Sequence, residues 1–183
     1  AAAMLSTAAT WVQALVLLTA LSPPAAAHLA GAAVTGVLVA VTGAGLLLRG
    51  QVRTPRAAAV GGGSADGPLR LREALLVAAV LSTVTLAVSA AEQHFGQGGV
   101  YAAAALGALA DAHSSVAALG SLHAADRIGL PTLGTGVLIA IGTNSLLRSG
   151  VALMAGGAGF GARVALSLLA STGAAAAVLL LPG

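Results

Sequence analysis

The chain has 183 residues, of which 58% are apolar and 7% charged, with a formal net charge of +3. A water-facing domain of this length carries roughly a quarter charged residues. Eight basic residues, all Arg, and five acids therefore exclude an ordinary soluble globule and point to lipid as the main solvent. Cysteine is absent, which excludes disulfides and thiolate metal sites. The basic residues are mostly confined to one polar stretch between apolar segments, the pattern of a topology signal, so nucleic acid is not an expected partner.

Six apolar segments are long enough to span a bilayer at 1.5 Å per residue, and they predict an all-α, polytopic helical bundle in a single transmembrane domain over 1–183. The first covers residues 4–21 and follows Ala1-Ala2-Ala3-Met4, a start without the basic n-region of a signal peptide. Ser22-Pro23-Pro24 ends it, and Pro suits the start of the next helix. The second covers residues 25–48, so that residues 1–48 hold two helices. Residues 49–69 form an Arg/Gly-rich loop with Gly61-Gly62-Gly63-Ser64 and Asp66-Gly67-Pro68. Four helices follow within 70–183: 71–91, 100–119, 131–153 and 161–181. They are separated by a polar connection at 92–99, a loop at 120–130 and a glycine break at 156–159. The 25 Gly and abundant Ala suit close helix packing in lipid.

Arg49, Arg53, Arg56, Arg70 and Arg72 lie in or beside the long loop. With six spans, Arg127 falls on the same side, and Arg163 and Arg148 on the other. The positive-inside rule then places the long loop and both termini in the cytoplasm, with the bacterial inner membrane as the expected location.

An ionisable group at membrane depth is costly and is a candidate site by default. Asp111 lies about eleven residues into the fourth segment, near the bilayer centre. Ser114 and Ser115 follow it by three and four residues and share its face of a regular helix. His113, two residues on, points elsewhere unless the helix is irregular. Carboxylate and hydroxyl oxygens suit a hard cation or a proton relay, which makes Asp111 the best metal candidate. The fifth segment supplies Thr143, Asn144, Ser145 and Arg148, with Asn144 and Arg148 four apart on one face. Short connections favour antiparallel neighbours, so Asp111 and Asn144 are expected to face one another. The structural alternative is an Asp111–Arg148 ion pair, with the hydroxyls bonded to their own backbone. Gln13 is a weaker mid-depth candidate. Glu92, His94, His28 and His123 read as interfacial, and Glu73 and Asp66 as determinants of entry into the third helix.

There is no HExxH, GxSxG, Walker or CxxC pattern, so neither an enzyme nor a cofactor is expected. Three passages carry a family resemblance. Leu69-Arg70-Leu71-Arg72-Glu73-Ala74-Leu75-Leu76 is similar to "ELRxALL". The run from Phe95-Gly96-Gln97-Gly98-Gly99-Val100-Tyr101 to Gly107-Ala108-Leu109-Ala110-Asp111 is similar to "FGxxGLY…SGLADVDAxTLS". Thr143-Asn144-Ser145-Leu146-Leu147-Arg148-Ser149-Gly150-Val151-Ala152-Leu153 is similar to "SNTLVKAGLAL". In this order and spacing, the chain resembles the bacterial membrane domain of unknown function found C-terminal to MgtC/SapB domains, with the MgtC/SapB part missing. It departs from that pattern at His113, where the family has a second acid, and at Arg148, where it has Lys. The resemblance implies a link to magnesium homeostasis. Two functions are expected: transport of a small cation or proton through the Asp111 cluster, or a non-transporting subunit of a larger membrane complex or homo-oligomer. An intramembrane enzyme built on Asp111 and His113 lacks a second catalytic group.

Overall fold

The computed structural model describes residues 2–49 and 71–180. The described residues form five helices: α1 Ala2–Leu21, α2 Pro23–Arg49, α3 Leu71–Ala110, α4 Ala112–Ala124 and α5 Leu130–Leu180. The expected loop at 49–69 lies almost wholly outside the described residues. Three helical stretches are long and apolar enough to cross a membrane, Pro23–Leu46, Leu130–Met154 and Gly157–Leu180, and Leu5–Leu21 is a shorter apolar helix. Large apolar side chains such as Leu86, Phe95, Met154 and Leu166 lie exposed on the outside, as a lipid-facing surface requires.

The order of the helices in space follows from which residues meet. Ser22 is the single residue between α1 and α2, and the two helices run back along each other. Trp11 of α1 packs on Gly36 of α2 so closely that an added Cβ would lie 2.5 Å from the indole nitrogen. Ser171 of α5 donates to the carbonyl oxygen of Gly36 at 2.7 Å. Three helices thus meet at one small residue, and Trp11, Leu18, Leu29 and Leu133 are fully buried nearby in the same core.

Neither α3 nor α5 is one straight rod. In α5 an added Cβ on Gly134 would meet Leu179 at 3.0 Å, although 45 residues of straight helix would separate them by about 67 Å. Ser145 and Thr172 hydroxyls lie 3.3 Å apart across the same pair of arms. The chain reverses at Gly157, whose φ of 76° and ψ of 165° belong to a region essentially restricted to glycine. α3 reverses likewise at Gly96, with φ 58° and ψ −142°. There an added Cβ on Gly107 would meet Val84 at 3.0 Å. These reversals fall inside the expected breaks at 92–99 and 156–159.

The fourth expected segment, 100–119, is corrected. It is not one helix. Asp111 has extended dihedrals, φ −158° and ψ 118°, and the chain doubles back there. The Ser115 hydroxyl donates to the carbonyl oxygen of Ala104 at 3.1 Å, whereas a continuous helix would hold those residues about 16 Å apart. The second arm of α3 and α4 therefore form a short helical hairpin with Asp111 at its tip.

The hairpin enters from one end of the bundle and returns to it. Arg127, just after α4, reaches back to Ser89 at 2.6 Å and to Glu92, near the Gly96 reversal. The Ser22 hydroxyl lies 3.0 Å from Nδ1 of His123. Gly134 of α5 adjoins His28. These contacts define the Ser22 end. At the opposite end, Arg148 donates to the Ser6 hydroxyl at 2.9 Å, so Arg127 and Arg148 stand at opposite ends. At the hairpin tip, Ala108 and Ala112 pack against Ala140 of α5. Ala140 lies ten residues into that helix, about 15 Å from its start and near half depth.

Gly157→Ala is expected to lower stability by about 1–3 kcal/mol, the cost of a side chain in that backbone region. Gly150→Ala, in the same helix with open space around its Cβ position, is expected to be neutral or to stabilise by up to about 1 kcal/mol. Thermal unfolding of the two variants in detergent makes the comparison.

Candidate functional site

The tip of the α3–α4 hairpin is built by one carboxylate. A helix start leaves backbone N–H groups without intrahelical partners, and Asp is a preferred residue to accept from them. Asp111 Oδ1 accepts from the backbone N–H of His113 at 3.1 Å, and Oδ2 from that of Ser114 at 2.9 Å. The Ser114 hydroxyl donates to Oδ2 at 2.6 Å. The His113 ring completes the set, with Nδ1 2.9 Å from Oδ1. A carboxylate offers about four acceptor positions, and here the protein's own donors take them all.

His113 is thus drawn onto Asp111, where a regular helix would have turned it away. The extended backbone at Asp111 is the cause. The far ring nitrogen, Nε2, is buried and has no hydrogen-bond partner among the described residues. The Asp111 side chain is 40% exposed and that of His113 30%, so the tip reaches the surface of the bundle at half depth. Ser115 does not join the carboxylate; it is fully buried and ties α4 to Ala104.

The α5 cluster stays apart from this network. Among the described residues no hydrogen bond or ion pair links Asp111 to Asn144 or Arg148. The expected Asp111–Arg148 pair is replaced by the contact of Arg148 with Ser6. Ser145 is buried and faces Thr172 across the two arms of α5. Thr143 and Asn144 are half-buried and make no side-chain hydrogen bond among the described residues. Asn144 lies one helical turn beyond Ala140, and so beyond the tip on the side away from Ser22. Gln13 is exposed. His94 stacks edge-on against Phe95, with ring centroids 6.4 Å apart, and both are exposed at the Ser22 end. Among the described residues no three His, Cys, Asp or Glu side chains converge.

Sequence reading missed two long-range contacts. Arg127 and Glu92 form an ion pair at the base of the hairpin, with Ser89 as a further partner. They are 35 residues apart and no local pattern joins them. Ser22 and His123 are likewise far apart in sequence and meet only because α4 is brought beside the α1–α2 turn.

The profile of a family described as Domain of unknown function (DUF4010) matches residues 1–156, a stretch that includes the whole hairpin and the first arm of α5. An uncharacterized protein of Aquifex aeolicus (strain VF5) is 28% identical over 93 residues, covering 51% of this chain and 40% of that protein. The matched stretch is therefore under half the length of that relative. No solved structure matches the chain.

Replacing Asp111 by Ala removes the cap and is expected to cost about 1–2 kcal/mol of stability. Asp111→Asn, which keeps a side-chain oxygen of equal capping rank, is expected to cost less. Their unfolding midpoints in the same detergent test this order.

Proposed function

The chain belongs to the DUF4010 family, and we propose that it is an integral protein of the bacterial inner membrane that conducts a small ion past the tip of a re-entrant helical hairpin. The observation that carries this reading is the reversal at Asp111. Broken helices at membrane depth persist only where they are buried in protein or line a water-filled cavity, because hydrocarbon offers backbone groups no partner. An ionisable pair at such a break is expensive and is retained on substrate and proton paths.

Five rods then cross the bilayer: α1, α2, the first arm of α3 and both arms of α5. The second arm of α3 and α4, 14 and 13 residues long, are each too short for a hydrocarbon core that needs about 20. They enter together from the Ser22 end and stop half way. On this reading five spans stand where six are expected from the sequence. The odd count places the Ala2 end of α1 and the Leu180 end of α5 on opposite faces, in place of two cytoplasmic ends.

The charge distribution supports the same arrangement. Arg148 and Arg163 belong to the Ser6 end, where α2 also ends at Arg49 and α3 begins at Leu71. Among the described residues, Arg127 is the one Arg at the Ser22 end. With six spans the Arg residues divide less sharply. The positive-inside rule makes the Ser6 end cytoplasmic.

Magnesium enters through the family resemblance and not through the donor set. Mg²⁺ demands near-octahedral oxygen ligands, and the one carboxylate at the tip is already saturated. A second reading, a docking subunit of a larger complex, is favoured by one observation. An apolar groove of about 570 Å³ opens on the surface between the arms of α3, lined by small residues such as Ala87, Ala91, Gly98, Ala102 and Ala103. Small residues of this kind admit a neighbouring helix.

Single cysteines report the topology directly, because the chain has none of its own. Gly98→Cys and Gly129→Cys should react with an impermeant thiol reagent from the same face, and Gly159→Cys from the other. Labelling of positions 98 and 129 from opposite faces would restore a continuous fourth span. For function, the purified chain in liposomes should pass protons or alkali cations, and Asp111→Asn should slow that flux at least tenfold. Flux by the chain alone sets aside the docking-subunit reading, whereas silence for every ion tested overturns the conducting one.

A further inference from the structure

Resting on the reading of the hairpin tip as a point on an ion path, we infer that the ion is the proton and that His113 carries it, with Asp111 as its positioning residue. Free acceptor capacity separates the two side chains. Asp111 accepts from two backbone N–H groups, one hydroxyl and one imidazole, so a cation seeking that carboxylate has to displace the cap of α4. The ring nitrogen on the other side of His113 is in the opposite position. An ionised carboxylate can only accept, so the Nδ1 facing it bears the hydrogen and the neutral ring keeps its lone pair at Nε2. That nitrogen is buried and meets no donor among the described residues.

A lone imidazole nitrogen is a poor site for a metal ion, which needs several ligands, and no further ligating side chains gather there among the described residues. It is a sufficient site for a proton. The step is simple in its balance. A hydronium ion from one face gives up its proton: one of its O–H bonds breaks, leaving water, an N–H bond forms at Nε2, and the ring becomes an imidazolium beside the Asp111 carboxylate. Release breaks that N–H bond and forms an O–H bond on a water at the other face, regenerating hydronium and the neutral ring.

Among the described residues, Asp111 is the one charged neighbour within hydrogen-bond reach of the ring. On α3, Glu92 is paired with Arg127, and His94 lies beside Phe95 at the Ser22 end. On α4 and the turn after it, His123 contacts Ser22, and Asp126 and Arg127 lie at the same end. On α5, Arg148 is bonded to Ser6 and Arg163 lies near the Gly157 reversal. The described length of α1 has no ionisable residue, and α2 offers His28 at the Ser22 end.

The test uses the full chain in liposomes with an internal pH dye, a clamped membrane potential and parallel assays for sodium, potassium and magnesium. Wild type is expected to carry protons, and His113→Gln to lose at least tenfold of that flux while keeping its thermal stability. Proton-labelled states are read independently by nitrogen NMR of ¹⁵N-histidine in lipid nanodiscs. One of the four imidazoles should show hydrogen at Nδ1 alone when neutral and gain a second N–H on taking up a proton. That signal should vanish in His113→Gln and change its titration in Asp111→Asn. Metal-ion flux that persists in His113→Gln without proton flux overturns the proton assignment and spares the ion path. No flux of any ion in wild type overturns both. If His113→Gln fails to fold, the wild-type spectrum decides, since a His113 ring with hydrogen at Nε2, or one that does not titrate, sinks the inference.

Discussion

The cap that Asp111 places on α4 is the contact on which the arrangement of the chain turns. In water, the free N–H groups at a helix start are satisfied by solvent. In hydrocarbon each exposed group costs several kcal/mol, and a break at half depth becomes tolerable only if the chain brings its own acceptors. One carboxylate does this for two backbone groups at once. It also accepts from the Ser114 hydroxyl and the His113 ring. The side chain that permits the reversal is therefore the same one that orients the imidazole, and capping and chemistry cannot be separated at this position.

Parity follows from that local event. A helix that crosses inverts the side of everything downstream, and a hairpin that turns back does not. Through the single reversal at Asp111, Arg127 stays with Glu92 and Ser89 at one end, while Arg148 reaches Ser6 at the other. The reversals inside α3 and α5 work by a different device. Gly96 and Gly157 adopt backbone conformations that a side chain would strain. Neither needs a polar cap, because both fall at the ends of long rods, where a membrane protein meets water.

Much of this was legible in the residues, and the failures have physical causes. Pro23-Pro24 marks a helix start because Pro lacks a donor and presets φ, and α2 does begin at Pro23. The glycine breaks at 92–99 and 156–159 hold the observed reversals. The hairpin was missed because the Ala- and Leu-rich run around Asp111 has the hydropathy of a continuous span, and an acid within it looks like an intruder. A signal was present: Asp is a strong N-cap residue, and Ser114 follows at the position whose N–H such a cap receives. Read that way, the run divides into two pieces too short to cross. The membership of His113 in the site depends on the same irregularity. The separation of Asn144 and Arg148 from Asp111 depends on packing that no local pattern encodes.

The remaining polar groups sharpen the contrast between bland and costly. Several hydroxyls in these helices bond a carbonyl one turn back, as Thr10 does to Ser6, Ser149 to Ser145 and Ser167 to Arg163. Such bonds satisfy the side chain within its own helix and ask nothing of neighbours. A few groups cannot be served that way. The Trp11 indole nitrogen and His113 Nε2 are buried without a partner among the described residues, and Asn144 makes no side-chain hydrogen bond among them. Trp11 lies eleven residues from the Ser22 turn, roughly 16 Å from that end and close to the depth at which the hairpin stops, and Asn144, fourteen residues into α5, lies about one turn farther. The two buried nitrogens left without a partner among the described residues, Trp11 Nε1 and His113 Nε2, thus both lie near half the length of the bundle, where no carbonyl one turn back serves them.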